Sequence, residues 1–420
     1  MLYSPIKNLQ NFIRDPLHFM HTMHKNHGDY FSLYLGHKQF HFVCHPDLVE
    51  KVLNSELDAY RKSRLIFNKI KPITGHKGIV QLDGEEWDDM RRVTGDVFHR
   101  RHLDEYIHII NHYADEVLAE LEREVTVNAI VDMAALTIRY TIKTAVRIFF
   151  GKSHDVDTAS IAGSFIELNA LCGQRMRQVI SLPLLVPTRL NRKINRARAK
   201  LDVHMQALIN QSGISSEFSL LAKLSVSLKD HPQKNQLIKD QVMTFLFAGY
   251  ETTAASLAFT GYLLAKHPNY QQQIREDTNE MTAAVYREAL RLYPPAYMLA
   301  RELRYQQMLG ERLLGKGDNV ILSLRELHRH EQFWPNGHDF MPERFLNTES
   351  LVKHKFAYLP CGYGIRVCSG MQLAMLEADI FLKKILTHYQ LSLPETSELQ
   401  LEAMVTLHPG SQLNLLVNKL

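Results

Sequence analysis

A stretch of 24 residues, Val242 to Ala265, carries a single charge, Glu251, and constrains the fold more than any other segment. Extended to Ile238 and Lys266, it predicts one helix of 29 residues, roughly 43 Å long at about 1.5 Å per residue. His267-Pro268 should end it, because the residue before a proline is driven out of the helical region. Apolar residues cover nearly its whole circumference, so the helix is expected to run through the middle of the molecule. The length would also suit a membrane span. An acid near the centre, with Thr244, Thr252, Thr253 and Thr260 around it, favours a buried core helix instead.

The rest of the chain reads as helix-dominated with small β-sheets. Tyr30–Leu35 and Gln39–Cys44 alternate as strands joined across residues 36–38, which suggests a hairpin. Pro46 opens a short helix through Asn54. Residues 86–150 repeat apolar positions at helical spacing. Residues 183–200 read as a loop followed by a basic surface helix. A further helix is expected from Thr282 to Tyr293, ended at Pro294-Pro295. Short strands should flank Gly315-Lys316-Gly317, irregular chain should run to Pro360, and a final helix should span Gly370 to His388. There is no repeat, linker or composition break, so residues 1–420 are expected to form one domain.

Charge and cysteine usage exclude several function classes. Lys and Arg total 49 against 45 acidic residues, too small an excess to argue for nucleic-acid binding. Four scattered cysteines at 44, 172, 361 and 368 do not make a disulfide scaffold and suit a reducing compartment. With no targeting segment at the N-terminus, the cytoplasm is the expected location. The 22 histidines invite a metal site, but no pair shows zinc spacing on a helix with an acid partner. Most, including those of His328-Arg329-His330, are expected at the surface.

The chemistry concentrates between Leu359 and Gly370. Gly362 and Gly364 permit tight turns, and the loop delivers Cys368 to the start of a helix. There the free N–H groups and the helix dipole favour a thiolate. A buried structural thiol is the alternative for a lone cysteine. Cys361-x6-Cys368 has neither zinc nor iron–sulfur spacing.

This loop resembles the haem-binding signature of the cytochrome P-450 family, Phe-x-x-Gly-x-Arg-x-Cys-x-Gly. Gly364, Arg366, Cys368 and Gly370 match in register, and Cys361 replaces the leading Phe. Other segments resemble the family in the same order along residues 30–410. Ala248-Gly249-Tyr250-Glu251-Thr252-Thr253 is similar to its oxygen-binding motif. Tyr286 to Pro295, containing Glu288-x-x-Arg291, looks like its K helix, and Phe340 to Phe345 like the segment whose Arg344 completes a structural triad with Glu288 and Arg291. His328-Arg329-His330 stands where the family has His-Arg-Asp. Only 36 positions separate Thr252 from Glu288, which resembles the compact soluble, bacterial-type members.

The resemblance implies a cytochrome P-450 fold, mainly α with a long central helix over haem b, and an axial thiolate from Cys368. It implies that Trp87, Arg91, Arg301 and Arg366 anchor the haem, with Ala248, Gly249, Gly362 and Gly370 allowing close approach. Glu251 and Thr252 would manage protons for O–O cleavage. A helical threonine can equally bond its own i−4 carbonyl, and the glutamate can simply be paired. The implied activity is a monooxygenase inserting one atom of dioxygen into a lipophilic small molecule. Electrons would come from a separate donor such as a ferredoxin or flavodoxin with its reductase, since no nucleotide fingerprint is present. A non-catalytic haem sensor or carrier, or a peroxide-driven peroxygenase, would use the same scaffold. The pocket would draw on residues 64–81 and 165–185, Phe247, Tyr250, residues 296–299 and Thr406. Arg91, Arg92, Arg100, Arg101, Lys353, Lys355, Lys383 and Lys384 would offer a basic face to an acidic donor.

Overall fold

A computed structural model describes residues 4–35, 38–125, 129–151, 156–178, 181–211, 218–276, 280–346, 354–395, 398–410 and 412–420. The central helix runs Lys234–Lys266, 33 residues, one turn longer at its N-terminus than the apolar pattern predicts. Lys234, Asn235 and Gln236 are exposed, so this extra turn projects beyond the core and no apolar periodicity marks it. From Leu237 to Ala265 the helix is buried almost throughout. It packs most extensively against the helix Met133–Phe150. Among the described residues, no helix is long and apolar enough to cross a membrane.

Residues 86–150 are not continuous helix. They divide into Glu85–Gly95, Leu103–Glu124 and Met133–Phe150, with 3-10 turns between the first two and the strand Ala129–Asp132 before the third. Helices also form at Arg189–Gln211, Glu280–Leu292 and Met371–His388.

A five-stranded sheet runs in the order Tyr30–Leu35, Lys38–Val43, Asn319–Ser323, Met298–Leu303, Tyr60–Lys62. The expected hairpin forms, with Tyr30 opposite Val43 and Leu35 opposite Lys38; the predicted turn at Gly36-His37 lies outside the described residues. The strands flanking Gly315-Lys316-Gly317 belong to different sheets, Arg312–Leu314 pairing with Gln307–Leu309 and Asn319–Ser323 with the large sheet. In the edge pair, Lys62 stands opposite Arg301. Beyond the last long helix the chain adds strands at Tyr389–Ser392, Leu401–Ala403, Leu407–Pro409 and Asn414–Lys419. The sequence reading did not foresee them, because each is only three to six residues long.

Candidate active site

The cysteine loop is shaped by two left-handed glycines, Gly362 at φ 73° and Gly364 at φ 70°. A side chain at Gly364 would also bring Cβ to 3.0 Å from the Leu53 carbonyl oxygen. The loop closes when the Cys368 amide donates to the Cys361 carbonyl at 3.0 Å, and the helix Met371–His388 follows directly. Cys368 is exposed, whereas Cys44 and Cys172 are buried. Its sulfur accepts a hydrogen bond from the Cys361 thiol and others from the Gly370 and Met371 amides. The Cys361 bond is the largest influence holding the Cys368 thiol down to about 7, with the Arg91 charge adding to it. Burial drives the others the opposite way, Cys172 to about 12 and Cys44 well above the ordinary thiol range. Cys361 is also pushed well up, chiefly because its proton is shared with Cys368. One of the four cysteines is therefore poised as a thiolate, with its neighbour as a proton donor.

The central helix faces this loop through two side-chain bridges. Ser256 Oγ lies 2.7 Å from the Tyr286 hydroxyl, which sits within electrostatic reach of both Cys361 and Cys368. Thr253 bonds Glu377 on the helix that follows the loop. On this otherwise buried helix, Ala248 is exposed and Gly249 and Thr252 are partly exposed, one turn apart on a single face. Thr252 Oγ1 donates to the Ala248 carbonyl at 2.7 Å. Gly249 is small for a packing reason as well, since a Cβ there would approach the Phe149 ring to 3.0 Å. Glu251 points elsewhere: its Oε1 accepts from Asn169 Nδ2 at 3.2 Å and from Thr406 Oγ1. Burial raises this carboxyl, and Oε2 has no partner. Phe247 and Tyr250, both expected at the substrate pocket, pack with Phe165 from another expected pocket segment, at ring separations of 5.7 to 6.3 Å.

A second feature is a buried concentration of positive charge. Arg301 is buried, with Nη1 donating only to the Ala300 carbonyl at 3.1 Å and Nε unpartnered. Burial, then the Arg366 charge, lowers it to about 10. Its strand partner Lys62 donates to the Ile79 and Leu82 carbonyls at 2.7 and 2.9 Å. Burial and then Arg366 bring Lys62 down to about 7. Arg366 meets Asp83 at 2.5 Å and lies 5.4 Å over the Trp87 ring, with Nε and Nη1 unpartnered. Three cations thus share one carboxylate in low-dielectric surroundings, an arrangement that favours taking in further anions. Arg91, also expected to anchor the haem, donates to the Val367 carbonyl at 2.8 Å and to Ser369 Oγ, bracing the cysteine loop. Lys62 and Asp83 had no sequence signal; strand register places Lys62 opposite Arg301, and Asp83 is found only through its ion pair with Arg366.

Glu288, Arg291 and Arg344 meet as a closed network. Arg291 holds both Glu288 oxygens at 2.7 Å and donates to the His328, Gly337 and Asp339 carbonyls. Arg344 Nε lies 3.5 Å from Glu288 Oε1. His328, expected at the surface, is fully buried. Its Nε2 accepts from the Leu359 amide at 2.9 Å, so the network reaches the residue two positions before Cys361. Burial, then the Arg291 charge, depresses the imidazole to about 3 and keeps it neutral.

The expected basic face is partly neutralised. Arg92 pairs with Asp89, Arg101 with Asp96, Lys383 with Asp379 and Lys384 with Asp115. Arg100 and Lys355 are exposed, and Lys353 lies outside the described residues.

The chain matches the family model described as cytochrome P-450 over residues 4–415. It is 29% identical to cyclooctatin synthase of Streptomyces melanosporofaciens over 398 residues, covering 89% of this chain and 84% of that protein. It is 28% identical to cyclooctat-9-en-7-ol 5-monooxygenase of the same organism, covering 90% and 85%. The crystal structure of CYP175A1 from Thermus thermophillus superposes with a TM-score of 0.81 at 26% identity, covering 99% of this chain and 98% of that one.

Proposed function

Because the chain belongs to the cytochrome P-450 family, we propose that it is a haem-thiolate monooxygenase of lipophilic small molecules, with haem b held by Cys368. The observation that carries this reading is the state of Cys368: exposed, hydrogen-bonded by a neighbouring thiol and two helix-start amides, and lowered while every other cysteine is raised. The cation cluster fits the same group. Arg301, Arg366 and Lys62 would receive the haem carboxylates, with the Trp87 ring as a wall, while Arg91 and Gly370 hold the thiolate loop. When bound, the haem supplies dioxygen activation, one oxygen atom going to the substrate and the other to water.

The remaining roles belong to this chain's own residues. Cys361 donates its S–H to the Cys368 sulfur and moderates the charge on it. Glu251, raised by burial, offers the unpartnered Oε2 as a proton acceptor or donor, and Thr252 presents a hydroxyl one turn from Ala248 on the partly exposed helix face. Glu288, Arg291 and Arg344 fix the chain leading into the loop. Electrons come from a separate donor such as a ferredoxin or flavodoxin with its reductase. With four of the eight basic-face cations already paired, docking relies less on net charge than the sequence suggests. The names of two relatives, one a monooxygenase of cyclooctat-9-en-7-ol, support a lipophilic substrate.

The test is the absorption spectrum of the reduced, carbon-monoxide-bound protein, wild type beside Cys368→Ala. A strongly red-shifted Soret band in the wild type that disappears in the variant is expected. A histidine-like spectrum, or no haem in a well-folded preparation, would sink the reading.

A further inference from the structure

We propose that His24, Asp29 and His330 form a binding site for one transition-metal dication, zinc above all, on the face of the molecule where the N-terminal helix meets the chain after residue 327. This site is separate from the haem chemistry and does not depend on it.

The three residues are brought together from distant parts of the chain. His24 lies in the last turn of the helix Pro16–His27, and Asp29 follows two residues beyond that helix. Asp29 is held in place by its carbonyl, which accepts from the Cys44 amide at 2.8 Å. His330 comes from a loop 301 positions further on. His24 Nε2 and His330 Nε2 each lie 2.9 Å from Asp29 Oδ1, and the three atoms all fall within 4.8 Å of one another. Ligands at about 2.0–2.1 Å around a tetrahedral zinc stand roughly 3.3 Å apart. The two nitrogen–oxygen distances are already close to that edge, and the two nitrogens, within 4.8 Å of each other, would close on an ion by side-chain rotation as the Asp29 carboxylate draws back. No other grouping of three such side chains with this spacing occurs among the described residues.

The donor set selects the ion. Two imidazoles and one carboxylate suit zinc and its neighbours, whereas calcium and magnesium require mostly oxygen ligands. The side chains are 19%, 35% and 12% exposed for His24, Asp29 and His330, open enough for an ion to enter and enclosed enough to hold it. Behind them sits a second carboxylate. Glu326, itself buried, places Oε2 3.9 Å from His24 Nδ1 and 2.9 Å from His21 Nδ1, and its other oxygen meets Arg325 at 2.9 Å. A carboxylate behind a ligating histidine orients the ring and strengthens it as a ligand. Ligation through Nε2 puts the His330 proton on Nδ1 and gives up the long 3.3 Å contact from the Gln332 amide, a small loss.

The alternative is that Asp29 merely hydrogen-bonds both imidazoles and clamps the helix to the loop. The two differ in whether an ion binds. Tag-free, full-length protein as purified with its haem is dialysed against EDTA, then titrated with zinc chloride by calorimetry, with its thermal midpoint followed in parallel. One saturable zinc per chain and a higher midpoint are expected. His24→Ala and Asp29→Asn should each weaken binding by at least about tenfold, as should His330→Gln, while the exposed His108→Ala keeps it. No saturable zinc in the wild type, or unchanged binding in all three ligand variants, overturns the site. If the variants do not fold, anomalous diffraction at the zinc edge from wild-type crystals decides: a peak among the three side chains supports the site, and none overturns it.

Discussion

Arg291 and Arg301 are both buried guanidinium groups, and they are treated in opposite ways. Every N–H of Arg291 is used: two oxygens of Glu288 and three backbone carbonyls receive them. Arg301 has one contact, to its own neighbour's carbonyl, and an orphaned Nε. Arg366, also in this region, leaves two of its nitrogens unpartnered. A buried charge with all of its donors used costs nothing further and serves to hold chain segments together. A buried charge with free donors carries a desolvation penalty that only an incoming anion removes. The same residue type therefore marks architecture in one region and binding in the other, and the difference lies in the partner list rather than in burial.

Breaking the closed network should have the largest effect. Glu288→Ala leaves Arg291 buried without its carboxylate and should cost about 3–5 kcal/mol. A denaturant midpoint within error of wild type would mean that the network is not structural. The open cluster should respond differently. The variant Arg301→Ala should leave the stability of the haem-free chain unchanged or raised, because it removes a buried charge that no carboxylate pairs. Haem retention, measured by transfer to a haem-free acceptor protein, should fall about tenfold or more, since charge-assisted hydrogen bonds contribute about 1.5–3 kcal/mol each. If unfolding and haem loss moved together in both variants, the contrast between the regions would collapse.

The smallest effect separates two buried glutamates. Glu288 faces two guanidinium groups, while Glu377 has one hydrogen bond, from Thr253, and burial raises it to about 8. Between its ordinary value of 4.5 and about 8, the native state binds a proton that the unfolded chain has released. This contribution to stability is complete below the ordinary value and is lost as pH rises through the folded one. His328 acts on the acid side. Its folded value of about 3 against an ordinary 6.5 means its contribution is present above 6.5 and is lost as pH falls toward 3. Glu377→Gln should flatten the alkaline arm of a stability-against-pH curve and leave the acid arm alone; an unchanged alkaline arm would remove Glu377 from the account.

Much of this was legible before any coordinates, and the reason is locality. The central helix is written in 24 nearly uncharged residues, and the cysteine loop in glycines whose left-handed backbone positions no other residue adopts readily. Glu288 and Arg291 are three positions apart on one helix, so their pairing needs only helical geometry. Side-chain facing was harder. Tyr250 and Thr252 are two positions apart, yet one packs in the core and the other faces the partly exposed side. His328 was missed, because composition places histidines at the surface while this one is a buried acceptor for the cysteine loop.

By itself the sequence determined which residues were candidates for chemistry: a cysteine set at a helix start, a long buried helix, and the motifs in order along the chain. Tertiary structure alone decided their partners. Lys62 meets Arg301 through strand register, Thr406 reaches Glu251 from 155 positions away, and Asp29 meets His330 across 301. Periodicity and turn chemistry act over a few residues, whereas these contacts exist only once the helices and sheets have packed and closed the long loops between them.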